Sequence, residues 1–360
     1  MKKFSFCSML RTFFATSLFA TALFALVACN KDAENKKAEH QNAEIVNKLS
    51  IVTTIYPEYA WAKEILGSRA DSVNLTLLIK SGVDLHSYKP TAQDIAKIAN
   101  ADMVIYVGGE SDEWIKKSLE ATPKKGRTEV NLMSALGDRV KAEEIVEGMQ
   151  AEETKEADSK HHDEHAEESE HHEHHHHDEE VENDEHVWLS LKNAEILVNK
   201  IAAELAKIDF AHASLYTENA NTYIAQIKSL DADYQATVDS ATRKTVLFGD
   251  RFPFRYLVDD YAIKYYAAFV GCSAESEASF ETIAFLANKM DSESLPAIFT
   301  LENGNKKIAT AVLEASKKSK NAQILSINSM QSITEKQIAE GANYLALMRS
   351  NLEVLKKALK

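Results

Sequence analysis

Apolar positions in this chain fall into two kinds of run that alternate along most of its length. Short β-rich runs at Ser50 to Ile55, Ser72 to Ile79, Met103 to Val107 and Thr128 to Leu132 read as strands. The segments between them have helical spacing. One follows Tyr56-Pro57 and stops at Gly67, one opens at Pro90-Thr91 and sets Ile95, Ile98 and Ala99 on a shared face, and one covers Asp112 to Ala121. The same alternation returns later, with strands at Thr245 to Phe248, Lys264 to Phe269, Ala297 to Leu301 and Gln323 to Ile327. The helices there are expected at Arg255 to Tyr261, Ser279 to Met290, Lys306 to Lys317 and Glu335 to Leu359. Strands separated by helices of about ten residues imply parallel sheets with helical cover, so the pattern predicts an α/β fold of two similar lobes.

Two helical stretches lie between the lobes. The first begins at Asn193 and places Ile196, Leu197, Ile201, Leu205 and Ile208 at three and four spacing. The second, from about Ala211 to Ser240, would be about 45 Å long at 1.5 Å per residue, enough to link both lobes. The expected organisation is therefore a signal peptide over 1–28, a flexible tether over 29–48 and an N-terminal lobe over 49–150. A His- and acid-rich loop follows over 151–185, then helices including the linker over 186–243, and a C-terminal lobe over 244–360.

Charge changes the picture at one place only. The chain carries a net −14, and residues 151–185, with nine His, sixteen Asp or Glu and two Lys, carry that same −14 by themselves. The acidity is an insert, expected to be solvated and without a core, and the rest of the chain is balanced. No basic face stands out, which argues against a nucleic-acid partner.

The amino end has Lys2, Lys3 and Arg11 ahead of an apolar run from Phe13 to Val27, too short for a spanning helix and consistent with an export signal. Leu26-Val27-Ala28-Cys29 resembles the bacterial lipoprotein box, which implies lipidation at Cys29 and a membrane anchor on the extracytoplasmic face. Cys7 leaves with the signal, so Cys272 has no intramolecular partner and reads as a small buried hydrophobe.

In open α/β sheets ligands bind beyond the carboxyl ends of the strands, where loops converge. That rule selects His86 after the second strand, Asp250 after Thr245 to Phe248, and Glu302 after Ala297 to Leu301. His186 closes the acidic insert just before Val187-Trp188-Leu189. Two imidazoles with one or two carboxylates suit four-coordinate Zn2+ and also accept Mn2+ or Fe2+. Outside the His-rich insert neither His-x-Asp nor His-Glu-x-x-His occurs, and no nucleophile–base pair is evident, so binding rather than catalysis is expected.

Three blocks carry a family resemblance: Gly82-Val-Asp-Leu-His86-Ser-Tyr88-Lys-Pro90-Thr-Ala-Gln-Asp94-Ile95, Asp184-Glu-His186-Val-Trp188-Leu, and Phe248-Gly-Asp250-Arg-Phe252. In this order they resemble the ZnuA/TroA-like family, the substrate-binding lipoproteins of zinc and manganese ABC importers, over roughly Leu49 to Lys360. The resemblance implies two lobes joined by a long rigid helix, a metal in the cleft, and His86 and His186 as the first two histidine ligands. It also implies a monomer that captures Zn2+, with Mn2+ the alternative, and delivers it to an ABC permease in the membrane.

The chain departs from the pattern at Gly249, where many members have a third histidine. Asp250 is the first candidate to complete the shell and Glu302 the next, with Glu275 and Glu277 behind them. A shell of two His with carboxylates is harder and relaxes discrimination against Mn2+, whereas the imidazoles of the insert favour Zn2+. A surface storage or adhesion protein acting through the insert is the second reading, and a metalloenzyme the third.

Overall fold

The computed structural model describes residues 48–80, 82–150, 182–271 and 277–360. The expected signal, the lipidation site Cys29, the tether as far as residue 47, the bulk of the His-rich insert, Cys272 and Glu275 lie outside the described residues. The remainder, Lys48–Lys360, forms one compact unit.

The first lobe runs β1 (Ser50–Thr53), α1 (Tyr56–Leu66), β2 (Asn74–Leu77), α2 (Ala92–Asn100), β3 (Met103–Tyr106), α3 (Glu113–Ala121), β4 (Thr128–Asn131) and α4 (Leu132–Leu136). Two helices follow the insert, α5 (Leu191–Ile208) and α6 (Ala213–Asp239). The second lobe is β5 (Thr245–Phe252), α7 (Arg255–Asp260), β6 (Lys264–Val270), α8 (Phe280–Ser292), β7 (Ala297–Leu301), α9 (Lys307–Ala315), β8 (Gln323–Ile327), α10 (Glu335–Ala339) and α11 (Tyr344–Ala358).

Each lobe holds a parallel four-stranded sheet, ordered β2-β1-β3-β4 and β6-β5-β7-β8, so the lobes share one topology. Central strands such as β7 are buried at every position, as expected when helices cover both faces of a sheet. In both lobes the chain reverses direction between the first and third strands. Loops at the carboxyl ends of the strands therefore converge, and they carry His86, Ser111, Glu302 and Gln331.

The 27 residues of α6 make a rod of about 40 Å that touches both lobes. Near its start Asn219 donates to the carbonyl of Ile65 on α1 (2.9 Å), and farther along Tyr234 donates to the carbonyl of Met348 on α11 (2.6 Å). Gly67 permits the first contact: its φ is +51°, and a β-carbon there would lie 2.5 Å from the Asn219 amide nitrogen.

An aromatic seam joins the lobes. Trp61 of α1 packs edge-on against Tyr344 of α11 with centroids 5.2 Å apart. The Trp188 indole donates to Ser329 beyond β8 (2.8 Å), and its carbonyl accepts from Tyr344 (2.7 Å). All three rings are fully buried. Prying the lobes apart would return them to water at roughly 1.5–3 kcal/mol or more for each, so only small movements between lobes are cheap.

Two sequence expectations are corrected. The helix expected to run unbroken from Glu335 to Leu359 is two helices. Gly341 takes φ +90° and ends the first, and the Asn343 side chain accepts from the Ala346 amide (3.1 Å) to cap the second. Strand β5 does not stop at Phe248 but continues to Phe252, with a register irregularity between Phe248 and Arg251. Asp250 therefore lies within the strand rather than beyond it.

Candidate metal centre

His86 reaches the cleft from the loop after β2. Asp84 shapes that loop by accepting from the His86 amide at 3.0 Å, which starts a single 3-10 turn over Leu85–Ser87. Thr91 and Asp94 then form a capping box at the head of α2, and Asp94 also accepts from Tyr88 (2.8 Å), which pins the far side of the loop. His186 is placed by the same local device. The Asp184 carboxylate accepts from the His186 amide (2.8 Å) and lies 3.0 Å from its Nδ1.

The two rings meet with their Nε2 atoms 3.2 Å apart. Each Nδ1 is engaged on the far side, His86 with Ser111 Oγ at 2.7 Å and His186 with Asp184. A carboxylate acceptor at Nδ1 keeps the proton there and leaves Nε2 as the electron-pair donor. Ser111 is itself held by Glu185, whose carboxylate accepts from its amide at 2.8 Å. Gly109 gives Glu185 its space: its φ is +113°, and a β-carbon there would lie 2.4 Å from the Glu185 carboxylate.

Burial lowers the His86 pKa to about 3, with the neighbouring His186 and Arg251 acting in the same sense against Asp84, so His86 is neutral at pH 7. Burial acts downward on His186 as well. The Asp184 carboxylate, with Glu185 and Asp84, outweighs it and raises this imidazole above its ordinary value.

Two of the carboxylates named from sequence, Asp250 and Glu302, are engaged with partners of their own. Asp250 accepts from the Arg251 amide (2.9 Å) and from the Leu301 amide (3.0 Å), tying β5 to β7. Glu302 accepts from the amide and hydroxyl of Ser329 (2.9 Å each) and from Ser332 (3.3 Å). Glu277 is exposed. Gly249 faces α9, where a β-carbon would lie 2.7 Å from Ala309 Cα. The structure thus brings His86 and His186 together and directs Asp250 and Glu302 to backbone and hydroxyl partners of the second lobe. Among the described residues no three His, Cys, Asp or Glu side chains already converge on one point.

Other groups at the pair were not singled out by sequence reasoning. Asp84 Oδ1 lies 3.8 Å from His86 Nε2, and its Oδ2 accepts from Arg251 at 3.0 Å across the cleft. Gln331 beyond β8 closes the opposite side. The strand-end rule that named Glu302 also covers the β8 loop, but no spacing in the sequence marks Gln331 itself.

A further buried acid, Asp112, stands behind Ser111. Its Oδ2 accepts from the amides of Val107 (2.7 Å) and Gly108 (3.3 Å), while Oδ1 has no hydrogen-bond partner. Burial raises its pKa to about 7; backbone hydrogen bonds oppose the shift and Glu185 adds to it. Between the ordinary value of 3.8 and about 7 the folded state keeps a proton the unfolded chain has lost. Stability from this group is thus fully present below 3.8, declines across that window and is gone above it. Asp112→Asn, which retains an acceptor for the two amides, is expected to raise the thermal midpoint more at pH 8 than at pH 5. Equal gains at both pH values would contradict a protonated Asp112.

The family described as "Zinc-uptake complex component A periplasmic", ZnuA, matches residues 51–358. The zinc-binding lipoprotein AdcA of Streptococcus pneumoniae strain R6 is 32% identical over 312 residues, covering 86% of this chain and 56% of that protein. The chain thus spans little more than half the length of these curated relatives. The high-affinity zinc uptake system protein ZnuA of Bacillus subtilis is 26% identical over 313 residues, covering 87% of this chain and 88% of the relative. Among solved structures, the Zn(II)-bound ZnuA-like domain of Streptococcus pneumoniae AdcA superposes with a TM-score of 0.63 at 28% identity, covering 87% of this chain and 99% of that one. The metal-dependent lipoprotein YcdH of Bacillus subtilis gives a TM-score of 0.67 at 25% identity, covering 87% and 100%.

Proposed function

The chain belongs to the ZnuA family of zinc-uptake components, and from that premise we propose that it captures Zn2+ in the cleft with His86 and His186 and passes it to an ABC-type permease. The observation that carries this reading is the facing pair of Nε2 atoms at 3.2 Å. Two nitrogens bound at roughly 2.0–2.1 Å to a tetrahedral Zn2+ lie about 3.3–3.4 Å apart, so the rings stand close to the separation an ion requires. Their Nδ1 partners, Ser111 and Asp184, hold both rings in register before the ion arrives.

Zn2+ is cargo here, and no bond to carbon or phosphorus is made or broken. Imidazole donors favour Zn2+ over Mn2+, which prefers oxygen. The aromatic seam limits the lobes to small movements, so capture and release work through side chains and loops at the cleft. No helix among the described residues is long and apolar enough to cross a membrane. A lipid on Cys29 would hold the protein at the extracytoplasmic face, beside its permease. The His-rich insert, which ends in sequence immediately ahead of His186, acts as a low-affinity zinc collector.

The test is competition titration of the full chain against a zinc chelator, with and without residues 151–185. One tightly held Zn2+ per chain is expected in both proteins, with weaker additional binding lost on deletion and Mn2+ held less firmly. Loss of the tight ion on deletion would move the function to the insert and favour storage.

A further inference from the structure

The two rings are backed differently on their Nδ1 sides. His186 faces a carboxylate there, Asp184 at 3.0 Å, whereas His86 faces a hydroxyl, Ser111 Oγ at 2.7 Å. A hydroxyl can accept from an Nδ1 proton, which leaves the Nε2 electron pair free. It can equally donate to Nδ1, which sends the ring proton to Nε2 and closes that atom to a metal. What the hydroxyl itself bonds therefore decides the state of the ring. Burial raises the Glu185 pKa, and hydrogen bonds from the Ser111 hydroxyl and amide oppose the rise. A carboxylate only accepts, so the Ser111 hydrogen goes to Glu185 and the oxygen is left to accept from His86.

Glu185 also acts on the ring directly. Its side chain is buried at 3% exposure, Oε1 takes the Ser111 amide, and Oε2 has no hydrogen-bond partner and lies 3.6 Å from His86 Nδ1. A carboxylate close to one ring nitrogen favours the proton there, and more strongly in a buried setting than in water. The opposing pull comes from Asp84, whose Oδ1 lies 3.8 Å from His86 Nε2. Asp84 is already committed, however, with Oδ2 paired to Arg251 at 3.0 Å and Oδ1 accepting from the His86 amide at 3.0 Å. The uncommitted oxygen of Glu185 therefore outweighs it, and the balance favours Nδ1.

Resting on the zinc reading above, we propose that Glu185 is the positioning residue of His86. Through the Ser111 hydroxyl and through its own Oε2 it keeps the ring proton on Nδ1, so that the Nε2 electron pair is ready for the ion. The adjacent acids Asp184 and Glu185 thus serve the two histidines separately, His186 by direct contact and His86 mainly through a hydroxyl. Gly109 belongs to the same device, because a β-carbon there would displace the Glu185 carboxylate.

The test reads the metal-free full chain first. With isotope-labelled histidine, nitrogen–proton correlations in the NMR spectrum show which ring nitrogen carries the proton, and the His86 signals are those missing from His86→Gln. Glu185→Gln keeps the shape of the side chain and removes its charge, and is expected to move the His86 proton from Nδ1 to Nε2. In competition with a chelator it is expected to bind Zn2+ roughly ten- to hundredfold more weakly, the loss typical of an outer-shell partner. Glu185→Asp, which keeps the charge, is expected to hold the proton on Nδ1 and to recover most of the affinity. Unchanged Zn2+ affinity in Glu185→Gln overturns the proposal. So does a loss of affinity with the His86 proton still on Nδ1, because Glu185 then acts by packing. The His86→Ala, His186→Ala double variant run alongside separates the two readings: tight binding retained there removes the cleft site itself, whereas its loss there with Glu185→Gln unaffected removes only the role of Glu185.

Discussion

Replacing His86 and His186 together by alanine is expected to abolish tight one-to-one Zn2+ binding while leaving a folded protein with weak, multiple binding through the insert. Both nitrogen donors go at once, and the remaining polar groups, the Asp84 carboxylate and the Gln331 amide, already bond to each other and to Arg251 and the His86 backbone. Zinc sites in small folded peptides draw about 10–16 kcal/mol of apparent binding free energy from their full ligand set, so losing two donors removes affinity by many orders of magnitude. The cost to folding is smaller. His186 is fully buried and its loss leaves Asp184 without the ring partner at 3.0 Å, although Asp184 keeps the residue-186 amide. One unpaired buried acceptor costs about 1–3 kcal/mol, which circular dichroism and thermal melting would register without loss of the fold. High-affinity binding retained by the double variant, measured with residues 151–185 also deleted, would remove the assignment to the cleft.

The second large effect concerns a repair that the family pattern invites. Gly249→His, which restores the histidine present in many members, is expected to destabilise the second lobe and to leave Zn2+ affinity no better than before. Position 249 faces α9, and a β-carbon there would stand 2.7 Å from Ala309 Cα and 2.9 Å from its amide nitrogen. These are helix backbone atoms that cannot rotate aside, so an imidazole would have to push α9 off the sheet. Overpacking of a well-filled interior costs about 1–3 kcal/mol even where side chains alone must yield, and backbone contact places this substitution at or above the upper end. Chemical denaturation should show a lower midpoint for Gly249→His than for the wild type. A variant as stable as the wild type with tighter Zn2+ binding would show that position 249 reaches the cleft after all.

The same position explains why the surroundings of Asp250 were not legible in the sequence. Side chains alternate between faces along a strand, and one irregularity exchanges the faces beyond it. The irregularity between Phe248 and Arg251 directs Gly249 to α9, ties Asp250 to the Leu301 amide and sends Arg251 across the cleft to Asp84. No local pattern announces that shift. The turns that present His86 and His186 were legible because each is a short self-contained motif, with an aspartate two residues before the histidine that accepts from the histidine amide. Such turns are local, so their geometry travels with the sequence.

What the sequence determines by itself is therefore what local interactions and periodicity control. The two α/β lobes, the long helix between them, the capping of α2 by Thr91 and the turns that present the two histidines all follow from neighbours within a few residues. The tertiary structure alone decides which distant groups meet. Gln331 approaches His186 and Asp84 only because two parallel sheets deliver the ends of β2 and β8 to one cleft. Asp250, which the longer β5 places inside the strand, and Glu302, which follows β7 as the rule requires, accept from amides and hydroxyls of the second lobe. A carboxylate takes whatever donors the folded chain brings within hydrogen-bond reach, and that choice depends on packing between elements far apart in the chain.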